Sequence, residues 1–538
     1  MRLVSKISED DKLPDESKPD WVIVRVIKRY QEDVMLLLFA AAVTISCCIY
    51  YLSTMLTISD PGLTLDDSWI HVQFARTIFE GRPWEYSPGF ASTGSTSPLW
   101  SVILSSIFFF TSDQFGIVWG TYVISIMFFI GSTYIAGRLV ANYLEHPGWG
   151  LLTMIAFVII PRNAWLMLSG METPLFVFVL LFSIWLLDKQ EMKYDLILGV
   201  VAGIAYLSRP EGIIIVLCIP LRLLMIAVRG KVSKQRLGLF ILSGIIAVIV
   251  VSPWVLHCLT TTGYPLPDTF YAKVHTPTTS EIEAWDFWWT VFVREMPYIP
   301  VAVFLGVLLI VKGKPFAWLI PVSLTVMYRL STPYAALINN ARYLVPIFDL
   351  FIVVAIVSGA IVFKLILKTL LEIKDELSIN VVGILLLVFV IITPMTPYYV
   401  WQATNYGKAA GNINDMQVHL GYWLDANTPP DSVFATHDAG AIRFFSGRTM
   451  IDLAGLVSPD MIHGNMTAIE KMQYLYDNGC NYFVFFDELF GWWARLLPPH
   501  SYSTLYTVFL PDNVVSGRDT MSVFQIHWEQ TNFPANSA

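Results

Sequence analysis

Two adjacent carboxylates, Asp66 and Asp67, open a stretch of sequence that could carry out acid–base chemistry. They precede the amphipathic segment 68–76, which predicts a surface helix that begins at the pair. A carboxylate held at a membrane surface can take a proton from an acceptor hydroxyl. Either aspartate could be that general base, and we favour Asp66 slightly. The structural alternative is that both residues only cap the helix.

Three basic residues could bind an anionic phosphate. Arg209 lies in Ser-Arg-Pro-Glu-Gly, Arg342 follows two asparagines, and Lys273 lies in a loop rich in Tyr and Phe. A guanidinium group matches the two oxygens of a phosphate with two parallel hydrogen bonds. We therefore expect Arg342, helped by Arg209 or Lys273, to hold a lipid phosphate. The alternative is that these side chains only reach the membrane interface.

Four further side chains are candidates for contacts with a sugar or an acceptor. Glu172 lies in a turn between two apolar runs, His71 and Arg76 follow the aspartate pair, and Tyr271 lies in the aromatic loop. The chemistry needs no obligatory cofactor. A divalent metal is possible but not indicated, because the adjacent aspartates diverge and the polar loops contain no HExxH or DxD pattern.

The composition of the whole chain indicates a membrane protein. Of its 538 residues, 55% are hydrophobic and 14% are charged, whereas soluble domains carry about 25% charged residues. The mean hydropathy is +0.58. A net charge of −8 without a basic stripe argues against a nucleic-acid partner. The expected fold class is therefore a polytopic α-helical membrane protein.

Apolar runs predict eleven membrane spans, at 34–58, 115–140, 150–168, 173–187, 195–207, 211–228, 237–259, 297–312, 315–331, 345–368 and 381–398. The short run 98–111 predicts a half-inserted or surface-lying helix. Lys and Arg in the short loops place the N-terminus in the cytoplasm and everything after 398 outside.

This topology places five polar motifs on the same external face, at 65–67, 169–173, 208–212, 265–273 and 341–344. Ionisable residues next to a bilayer are costly, so a group of them marks a site. The Gly- and hydroxyl-rich segment 87–98 could add N–H and O–H donors for a phosphate or sugar, or could simply cap the next helix.

The chain divides into three predicted parts. Residues 1–33 form a cytoplasmic segment, and 34–401 form the membrane module with a first external loop at 59–97. Residues 402–538 form an extracytoplasmic α/β domain. In that domain strands are predicted at 431–438, 449–455 and 481–487, with helices at 439–447 and 458–479. This alternation is typical of a parallel sheet.

These motifs resemble the GT-C superfamily of membrane glycosyltransferases. The external Asp-Asp, the following Ala-Arg, and the Gly-rich turn before Ser-Pro-Leu-Trp carry the likeness. Gly-Met-Glu-Thr-Pro-Leu, Ser-Arg-Pro-Glu-Gly, Pro-Leu-Pro-Asp-Thr-Phe-Tyr-Ala-Lys and Arg-Tyr-Leu-Val-Pro are most similar to the mycobacterial terminal arabinofuranosyltransferase type and its relatives. The resemblance implies a polyprenyl-phosphate sugar donor and inverting transfer, with an aspartate of the first external loop as base. It also implies that Arg76 and Glu172 lie near this base.

The expected function is therefore a multi-pass glycosyltransferase of the cell membrane, a hexosyl- or pentosyltransferase with its active site on the extracytoplasmic face. Its expected partners are a polyprenyl-phosphate-linked sugar and a glycan, glycolipid or protein acceptor. Two alternatives are an outward-facing oligosaccharide polymerase or ligase, and a lipid or sugar transporter. A transporter would carry broken helices in two related halves, and the two halves of this sequence do not resemble each other.

Overall fold

The computed structural model describes residues 19–534, except 190, 229, 231, 275–284, 287 and 332–337. Side chains are described from residue 30 onward, apart from 273 and 274 within that range. The described chain consists of a helical module followed by a domain with a five-stranded sheet. The expected fold class, a polytopic helical membrane protein with a C-terminal α/β domain, is confirmed.

Within the described residues, six helices are long and apolar enough to cross a membrane: Tyr30–Leu56, Gln114–Leu144, Pro210–Val228, Lys234–Thr262, Ile338–Thr369 and Glu376–Asn427. Shorter apolar helices are Pro98–Phe109, Pro147–Ile159, Thr173–Leu187, Tyr298–Val311 and Phe316–Ser331. Lys193–Ser208 is a further helix. Each predicted span overlaps one of these helices, although the run 150–168 is divided into two helices, Pro147–Ile159 and Asn163–Met167. The direction in which each crosses the membrane stays a prediction.

The helix Val345–Thr369 lies at the centre of the module. Sixteen of its 25 residues are buried, and it packs against Tyr298–Leu305, Phe316–Ser331 and Gln114–Leu144, among others. Most of its side chains therefore contact other helices of the module. Its N-terminal end therefore gives a firm support to Arg342, which precedes it by three residues.

The run 98–111 forms a helix at Pro98–Ser105 and a 3-10 turn at Ser106–Phe109. Twelve residues of helix are too few to cross a bilayer, which needs about 20. Its length is therefore that of the half-inserted or surface helix expected from the sequence.

Two short strands, β1 (Glu85–Ser87) and β2 (Phe90–Ala91), form a hairpin in the first polar loop. Five further strands form the C-terminal sheet. Strands β3 (Val433–Thr436), β4 (Thr449–Asp452) and β5 (Cys480–Phe486) are parallel. They match the three predicted strands. Strands β6 (Tyr502–Phe509) and β7 (Thr520–Ile526), which were not predicted, extend the sheet in antiparallel fashion. The strand order across the sheet is β4–β3–β5–β7–β6.

The helices of this domain are Ala441–Ser446, Pro459–His463, Ala468–Asp477 and Asp487–Ala494. A continuous helical stretch from 393 to 427 joins this domain to the membrane module. The domain boundary predicted at 402 lies inside this stretch.

The helix Asp66–Phe79 connects the two parts of the molecule. Nine of its residues are buried. Trp69 packs against Phe444 and Phe445 of the C-terminal domain at ring-centroid distances of 5.2 and 4.7 Å. The helix is therefore not free on a surface, because the C-terminal domain covers its aromatic side.

Candidate active site

Asp67 and Arg342 form the centre of a small polar pocket. Oδ2 of Asp67 lies 2.6 Å from a terminal nitrogen of Arg342. The arginine is almost fully buried, whereas 29% of the aspartate side chain is exposed. His71 and Glu172 also line this pocket. A carboxylate that is paired with a buried cation and still partly open can receive a proton from a bound hydroxyl.

Asp66 points in a different direction from Asp67. Its two carboxylate oxygens accept hydrogen bonds of 2.8 Å each from the backbone N–H groups of Gly440 and Ala441. Burial and the negative charge of Asp438 raise the pKa of Asp66, although the two hydrogen bonds oppose the rise. Asp66 therefore anchors the C-terminal domain. The geometry reverses our slight preference and makes Asp67 the better candidate base.

Glu172 joins two of the predicted side chains. Its Oε2 lies 3.4 Å from Nε2 of His71, and its Oε1 lies 3.6 Å from Nε of Arg209. Burial alone would raise the pKa of Glu172, but the hydrogen bond from His71 and the charge of Arg209 outweigh it and lower the pKa below its usual range. Glu172 therefore links His71 to Arg209 within the site.

Two arginines face the same aromatic ring. The guanidinium carbons of Arg209 and Arg342 lie 4.5 and 5.0 Å from the centre of the Tyr343 ring. A terminal nitrogen of Arg209 donates to Tyr328 Oη at 3.1 Å, and its contacts with Glu211 are long, at 3.4 Å. Within the described chain, Nε of Arg342 is buried and has no hydrogen-bond partner. Both groups thus retain donor capacity for an incoming anion.

The backbone before Arg342 has an uncommon conformation. Asn339, Asn340 and Ala341 have φ values of 52°, 61° and 56°, a left-handed region that is costly for residues with a side chain. Arg162 makes two hydrogen bonds to Glu295, at 2.7 and 2.8 Å, and also binds Asn340 Oδ1. This ion pair therefore holds the turn that positions Arg342.

Two cavities adjoin this pocket in sequence. A cavity of about 270 Å³ shares four lining residues with the polar pocket: Thr96, Glu172, Thr269 and Tyr343. A second cavity, of about 430 Å³, shares Tyr206 and Ile213 with the first and is lined mainly by Val, Ala and Leu. Polarity thus decreases from the Asp67–Arg342 pair towards an apolar groove on the outside of the helices.

Part of the hydroxyl-rich segment 87–98 lies at the pocket. Gly94 and Thr96 line it, and Thr93 Oγ1 accepts the backbone N–H of Asp268 at 3.2 Å. Gly94 is required for close approach, because a Cβ atom there would collide with the carbonyl oxygen of Leu456. The loop therefore connects the membrane module, the 265–273 motif and the C-terminal domain.

Two predicted residues lie elsewhere. Arg76 donates to the carbonyl oxygen of Phe444 at 3.1 Å and stacks over the Phe444 ring at 4.3 Å. It lines neither the polar pocket nor its neighbouring cavity. Its observed contacts are with the C-terminal domain, and its expected contact with a sugar stays a prediction. Tyr271 likewise packs against Tyr264 and His463 outside both cavities. The side chain of Lys273 lies outside the described part of the chain.

Several residues that line or support the site were not predicted from the sequence. Arg162 and Glu295 are 133 positions apart, and Tyr328 lies in an apolar run. The only available indication was Pro161-Arg162, a helix-breaking residue beside a charge within a predicted span. Over the described residues, no three His, Cys, Asp or Glu side chains come together as a metal site.

The helical membrane module and the C-terminal sheet domain together have the fold of several solved structures. The chain is similar to ArnT from Cupriavidus metallidurans bound to undecaprenyl phosphate, with 12% identity and a TM-score of 0.58 over 90% of this chain and 97% of that one. At such an identity the likeness establishes the fold.

Two further structures share this fold. The archaeal oligosaccharyltransferase AglB from Archaeoglobus fulgidus, in complex with an inhibitory peptide and a dolichol-phosphate, has 14% identity and a TM-score of 0.56, covering 86% of this chain and 70% of that one. The apo form of the Archaeoglobus fulgidus oligosaccharyltransferase has 12% identity and a TM-score of 0.59, with 90% and 75% covered. Residues 411–524 match a family described as a domain of unknown function, DUF8728. Among curated proteins, none matches the sequence.

Proposed function

We propose that this protein transfers a sugar from a polyprenyl-phosphate donor to an acceptor hydroxyl by an inverting, general-base mechanism on the extracytoplasmic face. The observation that carries the proposal is the arrangement of Arg209 and Arg342 around Tyr343, beside the Asp67 carboxylate, where a polar pocket opens into an apolar cavity. A lipid phosphate needs both environments side by side. Two solved structures with this fold contain undecaprenyl phosphate and dolichol-phosphate, which supports the same class of donor.

The proposed reaction is a single displacement at the anomeric carbon of the donor sugar. The acceptor oxygen attacks the anomeric carbon of the sugar, and the bond from that carbon to the phosphate oxygen breaks. The hydroxyl proton passes to Asp67, and the polyprenyl phosphate leaves with the bonding electrons. Arg342 and Arg209 stabilise the charge that develops on the leaving phosphate. His71 and Glu172 line the same pocket and can bind sugar hydroxyls.

The matched variants Asp67→Asn and Asp66→Asn test the base. We expect Asp67→Asn to lower transfer by about 10²–10⁴-fold, the usual contribution of a general base. Asp66→Asn should keep measurable transfer per folded molecule, because an amide oxygen still accepts one of the two backbone hydrogen bonds. The assay measures release of polyprenyl phosphate by purified protein from a panel of polyprenyl-phosphate sugars. An arabinofuranosyl donor comes first in the panel, because the sequence motifs resemble the terminal arabinofuranosyltransferase type.

The phosphate clamp has its own test. Arg342→Lys keeps the charge but loses the fork geometry, so we expect weaker binding of polyprenyl phosphate than in the wild type, and Arg342→Ala should bind still more weakly. Unchanged binding by Arg342→Ala would reduce Arg342 to a structural residue. Full turnover by both aspartate variants would reject the mechanism and favour the transporter alternative.

A further inference from the structure

A second polar groove, of about 370 Å³, lies outside the pocket described above. Its walls come from three separate parts of the chain. These are the hairpin of β1 (Glu85–Ser87) and β2 (Phe90–Ala91), the last turn of the helix Lys234–Thr262, and residues 457–460 with the adjacent strand β4. The groove is therefore formed where the membrane module meets the C-terminal domain.

The groove combines hydroxyl groups, a carboxylate and an aromatic surface. Thr260, Thr261 and Ser458 contribute hydroxyls. The Asp460 carboxylate accepts a hydrogen bond of 2.8 Å from Tyr474 Oη, which leaves most of its acceptor capacity available. Phe90 is 46% exposed at the opposite wall. Sugars present both C–H faces, which pack on aromatic rings, and hydroxyl groups, which pair with carboxylates and hydroxyls.

The groove is a poor site for an extended peptide. Strand β4 is the edge of the C-terminal sheet, and an edge normally offers free N–H groups to an added strand. Here the outward N–H of Met450 donates to Ser87 Oγ at 3.2 Å, and that of Asp452 donates to Ser458 Oγ at 2.9 Å. With these donors already engaged, side-chain hydroxyls and rings determine what binds.

Two chain segments connect the groove to the polar pocket. Phe90 lines the groove, and Gly94 on the same segment lines the pocket. Val457 lines the groove, and its neighbour Leu456 lines the pocket. Four residues of extended chain span at most about 13 Å. A molecule in the groove therefore lies within a short distance of the Asp67 carboxylate.

We infer that this groove binds the acceptor and that the acceptor is a sugar chain, whose terminal hydroxyl reaches Asp67 while the preceding sugar units lie between Phe90 and Asp460. The inference rests on the proposed function for the direction of transfer. The existence of a glycan-binding groove can be tested without any transfer.

The test measures binding of short soluble oligosaccharides to the full-length protein in detergent, by saturation-transfer NMR and without donor. The probes are tetrasaccharides of linear arabinan, mannan, galactan and glucan, with a mixture of tetrapeptides as comparison. We expect at least one oligosaccharide to bind, and Phe90→Ala or Asp460→Asn to weaken its binding by about tenfold or more. Trp492→Ala, which removes another exposed aromatic ring of the C-terminal domain in a different cavity, is the matched control and should bind as the wild type does.

The outcomes are separable. If the Asp67→Asn variant still binds the oligosaccharide but the wild type transfers no sugar, the proposed function is wrong. The assignment of the groove as a glycan-binding site then still stands. If the wild type binds no oligosaccharide, the assignment of the groove as a glycan-binding site is wrong. It is also wrong if Phe90→Ala and Asp460→Asn bind as tightly as Trp492→Ala. Peptide binding that depends on Phe90 would also overturn it. Melting temperatures of the variants identify any loss caused by misfolding.

Discussion

The ion pair between Arg162 and Glu295 offers a direct test of how the site is positioned. Arg162 and Glu295 are nearly buried, with 7% and 12% of their side chains exposed. Neither side chain lines the polar pocket or the neighbouring cavity. If the pair only stabilises the fold, its loss lowers stability alone. If it holds the left-handed turn before Arg342, its loss also weakens binding of the donor phosphate.

The substitution Glu295→Gln keeps the shape of the side chain and one acceptor oxygen. It removes one hydrogen bond between charged groups, which costs about 1.5–3 kcal/mol. The left-handed conformation of Ala341 alone costs roughly 1–2 kcal/mol. The lost hydrogen-bond energy is similar to the cost of the left-handed backbone. The turn should therefore leave this conformation in a large share of the molecules. If the whole loss appears in binding, affinity for the lipid phosphate falls roughly ten- to a hundredfold.

The assay is equilibrium binding of polyprenyl phosphate to purified protein, measured together with the melting temperature. Glu488→Gln is the matched control, since Glu488 forms a 2.6 Å ion pair with Arg518 but is 71% exposed, and such surface pairs contribute little. A Glu295→Gln variant that binds polyprenyl phosphate as tightly as the control would refute the positioning role, even with a lowered melting temperature.

Three further predictions concern the domain contact and the topology. Gly440→Ala should destabilise the protein, because a Cβ atom there collides with the backbone oxygen of Asp66. A Cβ atom at Gly491 meets open space, so the control Gly491→Ala should be neutral or slightly stabilising. The measurement is the melting temperature of each variant. The raised pKa of Asp66 means that the folded state holds the proton of this carboxyl group more tightly than the unfolded state does. The free energy of unfolding should therefore fall as pH rises from about 4 through the raised pKa. In thermal unfolding, Asp66→Asn should remove this part of the pH dependence. Labelling of single cysteines should place the loop 229–236 and the C-terminal sheet domain on opposite sides of the membrane, and labelling from one side would refute the predicted orientation.

The sequence by itself was sufficient for the helical architecture and for the parallel strands. A run of apolar residues must form a helix in a bilayer, because only a helix satisfies its own backbone hydrogen bonds there. Strands β3, β4 and β5 were also visible, since short apolar runs alternate with helical segments. Strand β6 escaped prediction because it lies at the edge of the sheet, where its residues are mostly half-buried or exposed and no run of buried side chains marks it.

The polar motifs could also be assigned to one site from sequence, because each lies at the end of an apolar run and the runs alternate in direction. Asp67, Glu172, Arg209 and Arg342 do come together in the structure. Which aspartate faces the pocket could not be read from the sequence. Neighbouring residues on a helix point about 100° apart, so only the position of the C-terminal domain decides that Asp66 binds Gly440 and Ala441.

The same limit applies to the support of Arg342. Arg162 and Glu295 meet across 133 residues, and the turn at 339–341 adopts a conformation that its residue types do not require. Helix propensity and hydrophobic periodicity act over a few neighbouring residues, whereas this pair and this turn depend on contacts between distant segments. Tertiary packing alone brings those segments together, since the energy of the long-range ion pair exists only after the helices have packed.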